Sequence, residues 1–145
     1  MKVNLRIDAE TPVQAASRFG SIGVRPRMPG FGAWVEGVDL GGELAGPVRE
    51  ELRRALLDFG VLFFREQPRL SADRQAALAS VFGAGPYEGN AELARAKESR
   101  DVELLVSDEK NPPYADSWHT DSSWKPVPPL GTLIHDEGTA ELIGE

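Results

Sequence analysis

The sequence contains no cysteine. Disulfides, thiolate-held zinc, iron–sulfur clusters and thiol nucleophiles are therefore all excluded. Histidine is nearly as scarce, with only His119 and His135 in 145 residues, so any metal must be held by these rings and by carboxylates. No apolar run approaches the length needed to cross a bilayer. Met1 to Asp8 lacks the apolar core and small-residue cleavage site of a secretory signal, so a cytoplasmic location is the expectation. An excess of positive charge is missing too. The net charge of -7 would repel a phosphate backbone and argues against nucleic acid as a partner. What is present, 41% hydrophobic and 27% charged residues, is the balance of a globular protein long enough to bury a core.

Along the chain the pattern alternates between helical and extended signals, with strands concentrated late. Gly23 to Gly32, rich in Gly, Pro and Arg, reads as irregular, and Ala33 to Val38 as a strand. Val48, Leu52, Ala55, Leu56 and Phe59 recur at helical spacing between Pro47 and Gly60, residues suited to opening and closing a helix. Val61 to Phe64 follows as a short apolar run, read as a buried strand. Ser71 caps a second helix with Asp73 in its first turn, Ala76, Ala79 and Phe82 on its apolar face and Gly83 past its end. Ala91 to Lys97 could form a short helix. Val102 to Val106, Trp118 to Ser123 and Gly131 to His135 read as strands, with loops at Pro112-Pro113 and Pro126 to Pro129. The acidic stretch Glu88 to Glu103 reads as a solvated surface.

One short stretch carries chemistry. On a strand, side chains two apart share a face, so His119 and Asp121 of Trp118-His119-Thr120-Asp121 would project together. An imidazole and a carboxylate can grip one divalent ion, and with a further His they form the facial triad of non-heme iron(II) oxygen chemistry. A solvated His beside a surface Asp is the bland alternative. Large aromatics beside a strand, here Trp118 and Trp124, are more often core than substrate contacts, Trp124 being the better pocket candidate. Arg65 is expected to pair with a nearby carboxylate, and Tyr87 to be an ordinary loop aromatic. The glycines match neither a phosphate loop nor a dinucleotide fingerprint, and no Ser–His–Asp set can be assembled.

Several landmarks recur together: Gly32-Ala33 to Leu40, Gly60 to Gln67, Phe82-Gly83, Pro112-Pro113, Trp118 to Asp121, and Pro128 to Gly131. In order and spacing they resemble the taurine dioxygenase (TauD/TfdA-type) family, most strongly over 32–134. The resemblance implies an α+β protein built on a double-stranded β-helix, a jelly-roll-like core with flanking helices. It implies an iron(II)- and 2-oxoglutarate-dependent dioxygenase acting on a small organic acid. His119 and Asp121 would be two of its three iron ligands. In such enzymes 2-oxoglutarate chelates the metal and is decarboxylated as the prime substrate is oxidised.

Three departures shape the expectation. The family's third ligand, a His far downstream, and the following Arg that binds the distal carboxylate of 2-oxoglutarate have no counterpart. Beyond Asp121 there is only His135, fourteen residues on, and no Arg. His135 reads as an exposed strand-end residue. The family's Gly-Gly-Asp-Thr-like turn is also unmatched in Asp136 to Glu145, where the likeness fades, and the His residues of taurine-specific members are absent after Phe82-Gly83. The chain thus reads as a single, partial β-helix domain over 1–145, an incomplete dioxygenase with little or no activity alone. The alternatives are a non-catalytic remnant acting as a binding or assembly module, and half of a two-chain enzyme. A homo-oligomer or a complementing chain would then be the partner, beside a small-molecule substrate and no membrane.

Overall fold

The computed structural model describes residues 18–83, 94–95, 102–104 and 117–136. They fall in two compact units, divided between Pro68 and Arg69. The content is α+β, comprising a mixed three-stranded sheet, a two-stranded ladder and two helices.

In the first unit, β1 (Gly23–Met28) and β2 (Phe31–Glu36) form an antiparallel hairpin. Its turn is Pro29-Gly30, with Met28 opposite Phe31. Pro29 pre-sets its own φ, and Gly30 takes the left-handed φ of 72° that the second turn position demands. The reading of residues 23–32 as irregular is thus corrected. Pro26 lies inside β1, where it weighs against a strand in the sequence. However, among the described residues β1 is at the sheet edge, where a missing N–H need not break a ladder.

Helix α1 (Gly46–Phe59) runs where the apolar spacing predicts it, with Pro47 in its first turn and Gly60 closing it at φ 70°. The Gly60 N–H donates to Leu56 O at 2.8 Å. Strand β3 (Leu62–Phe64) then pairs parallel with β2, placing Trp34 beside Phe63. The connection is a strand–helix–strand unit, and α1 lies against β2 and β3. Val24, Ala33 and Val35 alternate onto the face that the helix covers, joining Leu52, Ala55 and Phe59 in the buried core. β3 itself differs from the buried strand expected of it: Phe63 is exposed, and Leu62 and Phe64 are half-buried. Among the described residues it is an outer strand with a neighbour on one side, and a run of apolar letters does not reveal that.

The other face of the sheet is built from charge and aromatics. Trp34 meets Phe63 with ring centroids 4.9 Å apart, and the Arg65 guanidinium lies 4.2 Å over the Trp34 ring, with Arg27 at 5.6 Å. Among the described residues, the contact of Arg65 is therefore with an aromatic face instead of the expected carboxylate.

One polar residue ties the segment before β1 to α1. Glu51 accepts hydrogen bonds from the backbone N–H groups of Gly20, Ser21 and Ile22 at 2.9, 2.9 and 3.1 Å. Partial burial pushes its carboxyl up, but these three donors and the nearby Arg54 outweigh that, and the net effect holds it below the ordinary carboxylate range. Gln67 plays a similar part at the other end of the unit. It accepts from Leu40 N at 2.8 Å and donates to Val38 O and Arg65 O, joining the loops that follow β2 and β3.

In the second unit, α2 (Ala72–Phe82) begins at Ser71, whose hydroxyl accepts from Arg74 N at 3.2 Å, as the cap pattern predicts. Its buried residue is Leu78, while Ala79 is exposed. The inward stripe is therefore rotated from the expected Ala76–Ala79–Phe82 face, because the larger side chain takes the interior. Residues 94–95, expected to be helical, form β4 (Ala94–Arg95), paired antiparallel with β5 (Glu103–Leu104). Of the expected strand at 102–106, Glu103–Leu104 forms β5, and 105–106 lie outside the described residues. Tyr87, the rest of the acidic stretch, Pro112-Pro113 and Gly138-Thr139 lie outside the described residues. Among the described residues, no helix is long and apolar enough to cross a membrane.

Candidate metal centre

Residues 117–136 contain no strand, which corrects two expectations, Trp118–Ser123 and Gly131–His135. The strand argument for bringing His119 and Asp121 together therefore does not apply, yet the two side chains do meet. His119 Nε2 stands 3.3 Å from Asp121 Oδ1. A tight turn follows the pair. Ser122 adopts φ 51°, uncommon for a residue with a Cβ, and Lys125 N donates to Ser122 O at 3.1 Å. The hydroxyls of Thr120 and Ser123 hydrogen-bond across the turn.

Each member of the pair has a second partner. His119 Nδ1 lies 2.7 Å from Ser117 O, and since a carbonyl can only accept, the ring proton sits on Nδ1. In a neutral ring Nε2 is then the acceptor nitrogen, turned to Asp121 Oδ1 and able to bind a cation. Asp121 Oδ2 accepts from the Thr132 hydroxyl at 3.4 Å, which leaves Oδ1 facing the imidazole. With the ring neutral, Nε2 and Oδ1 are both acceptors. Two acceptors at this distance attract only when a proton or a metal ion lies between them. Two adjacent ligand atoms, each about 2.1 Å from one ion, stand about 3 Å apart. The donor set and its spacing fit two neighbouring positions on a divalent metal.

The site is open. The side chains of His119 and Asp121 are 52% and 62% exposed. Trp118 is fully exposed and Trp124 nearly so, with Lys125 Nζ 5.8 Å from the Trp124 ring centroid. Neither tryptophan packs into a core, contrary to the expectation for large aromatics. No third His, Asp or Glu joins the pair among the described residues. His135 is half-buried and not on a strand. The strongest additions to the expected set are Thr132 and the Ser117 carbonyl. Thr132 lies eleven residues beyond Asp121, a separation with no local periodicity to flag it.

A family model described as "Taurine catabolism dioxygenase TauD, TfdA family" matches residues 23–143. The chain belongs to this family. The TauD/TfdA match begins at Gly23, the first residue of β1, and reaches past Ile134, so it is longer at both ends than the resemblance read from the letters. Solved structures with local similarity include a taurine dioxygenase from Burkholderia xenovorans, 39% identical with a TM-score of 0.42 over 44% of this chain and 23% of that one. A putative alpha-ketoglutarate-dependent taurine dioxygenase from the same organism is 41% identical, with a TM-score of 0.41 over 43% and 22%. A third, AAD-2 in complex with Mn(II) and N-oxalylglycine, is 31% identical, with a TM-score of 0.40 over 43% and 24%. The match thus spans less than a quarter of the length of each of these structures.

Proposed function

We propose that this TauD/TfdA family chain contributes to an iron(II)- and 2-oxoglutarate-dependent dioxygenase acting on a small organic acid, with His119 and Asp121 as two of the metal ligands. The observation that carries the reading is the 3.3 Å approach of Nε2 to Oδ1 inside the family match. Bound iron would supply activation of dioxygen, coupled to decarboxylation of 2-oxoglutarate. The chain's own residues then have definable tasks. Ser117 O holds the imidazole in the tautomer that presents Nε2. Asp121 contributes a negative charge that favours a cation in this acidic protein. The mixed sheet and helices are proposed as part of a larger double-stranded β-helix assembly, with 1–145 belonging to one domain.

A second reading assigns the remaining ligand and the cation for the distal carboxylate of 2-oxoglutarate to residues beyond these 145, on the same or another polypeptide. The supporting observation is compositional: no Arg follows Asp121, and His135 does not group with the pair. The test is oxygen uptake coupled to succinate release with iron(II), ascorbate and 2-oxoglutarate, over a panel of sulfonates and aryloxy acids. The 145-residue chain alone should show iron-dependent binding through His119 and Asp121 but little or no turnover. Clear substrate-dependent succinate release from it would refute the second reading. Metal binding indifferent to His119→Ala and Asp121→Ala would refute the first.

A further inference from the structure

We propose that Thr132 is a positioning residue for the metal pair, its hydroxyl orienting the Asp121 carboxylate so that Oδ1 points at His119 Nε2. The inference rests on the reading of His119 and Asp121 as ligands and goes beyond it by assigning what holds them.

An exposed aspartate rotates freely about its terminal bond, whose preference is broad and two-fold. Asp121 is 62% exposed, so packing does not fix the plane of its carboxylate. A hydrogen bond to one oxygen does. The Thr132 hydroxyl takes Oδ2 at 3.4 Å, and Oδ1 is left at 3.3 Å from Nε2. The imidazole is fixed in the matching way by Ser117 O on Nδ1. Each ligand is thus held through its non-facing atom, as outer partners commonly hold metal ligands.

Thr132 can do this because its segment is itself anchored within the second unit. Gln75 of α2 donates through Nε2 to Leu133 O at 3.2 Å, one residue away. On the other side, Leu130 lies against the end of the same helix, where a methyl added to Gly83 would stand 3.6 Å from Leu130 Cδ2. The hydroxyl is therefore carried on a segment pinned both before and after it. The residue type matters as well. Valine at 132 would keep the shape and remove the donor, while serine would keep the donor and remove only a methyl.

The test uses the full chain with Mn(II) as the probe, free ion being counted by its electron paramagnetic resonance signal. Thr132→Val should weaken Mn(II) binding about 10-fold, the low end of what outer partners contribute, because the bond is long and exposed. Thr132→Ser should restore binding to within about two-fold. In the metal-free chain, Thr132→Val should also shift the His119 Nε2 nitrogen resonance while leaving Nδ1 protonated, a change that a merely structural role would not produce. Affinity decides the matter. Unchanged affinity in Thr132→Val, alongside loss in His119→Ala and Asp121→Ala, overturns the positioning role and leaves the ligand assignment standing. Equal loss in Thr132→Ser and Thr132→Val also overturns it, since the hydroxyl would then not be the cause. If wild type does not bind Mn(II), or both ligand variants bind it as wild type does, the ligand assignment fails and the Thr132 role with it.

Discussion

The sheet-and-helix unit and the segment carrying His119 and Asp121 are held by different physics. In the former, Ala33, Val35, Leu52, Ala55 and Phe59 are nearly removed from water, and burial of apolar area supplies the stability. In the latter, almost every side chain from Ser117 to Asp136 is exposed or half-exposed, and geometry is set by a few hydrogen bonds among Ser117, His119, Asp121 and Thr132. A core tolerates no lost volume, whereas an open polar site tolerates changes of shape and responds to changes of donor and acceptor. Scaffold and chemistry are therefore separable by mutation.

The sharpest way to test that separation is Leu52→Ala. With Leu52 only 1% exposed, the truncation should cost about 3 kcal/mol in denaturant unfolding. Its effect on the metal affinity of the second unit should be small by comparison. Glu51→Gln comes next, at about 2 kcal/mol, because three backbone donors lose a charged acceptor. This effect should depend on pH. The native carboxyl titrates below its unfolded value, so the unfolded state binds more protons in the acid range. The advantage of wild type over Glu51→Gln should be complete above the ordinary carboxylate range and vanish as pH falls through the lowered native value. A difference that grows on acidification would contradict the hydrogen-bonding role.

On the other side of the comparison, His119→Ala should reduce Mn(II) affinity at least 10-fold, read by calorimetry or by the free-ion signal. Its midpoint of unfolding should stay close to wild type, since an exposed side chain contributes little to the core. Trp118→Ala should have the smallest effect, within about 0.5 kcal/mol, where a buried tryptophan would cost several. A large loss there would show that the segment has a packed interior after all.

Both helices were legible in the letters. The spacing of Val48, Leu52, Ala55 and Phe59 and the punctuation by Pro47 and Gly60 placed α1, and Ser71, Asp73 and Gly83 placed α2. These signals are local, so periodicity finds them. β1 was not legible because Pro26 argues against a strand unless the strand is known to lie at an edge. β3 was legible as a strand but not as an exposed one, since exposure depends on which neighbours arrive from elsewhere in the chain. At the candidate site, the His119 and Asp121 singled out from the letters do lie side by side, but the reason offered for their meeting, two-residue strand alternation, is not what brings them together.

The sequence by itself determined the kinds of group available. Without cysteine, and with only two histidines, a metal site here could be built only from imidazole and carboxylate, and the landmark order placed the chain in its family. Tertiary structure alone decided that the pair meets without a strand, just before a left-handed turn at Ser122, and that Thr132, eleven residues away, reaches the far oxygen of Asp121. Composition and short-range spacing follow from covalent order. How a rotating carboxylate is turned depends on a segment that folding, not sequence proximity, brings alongside.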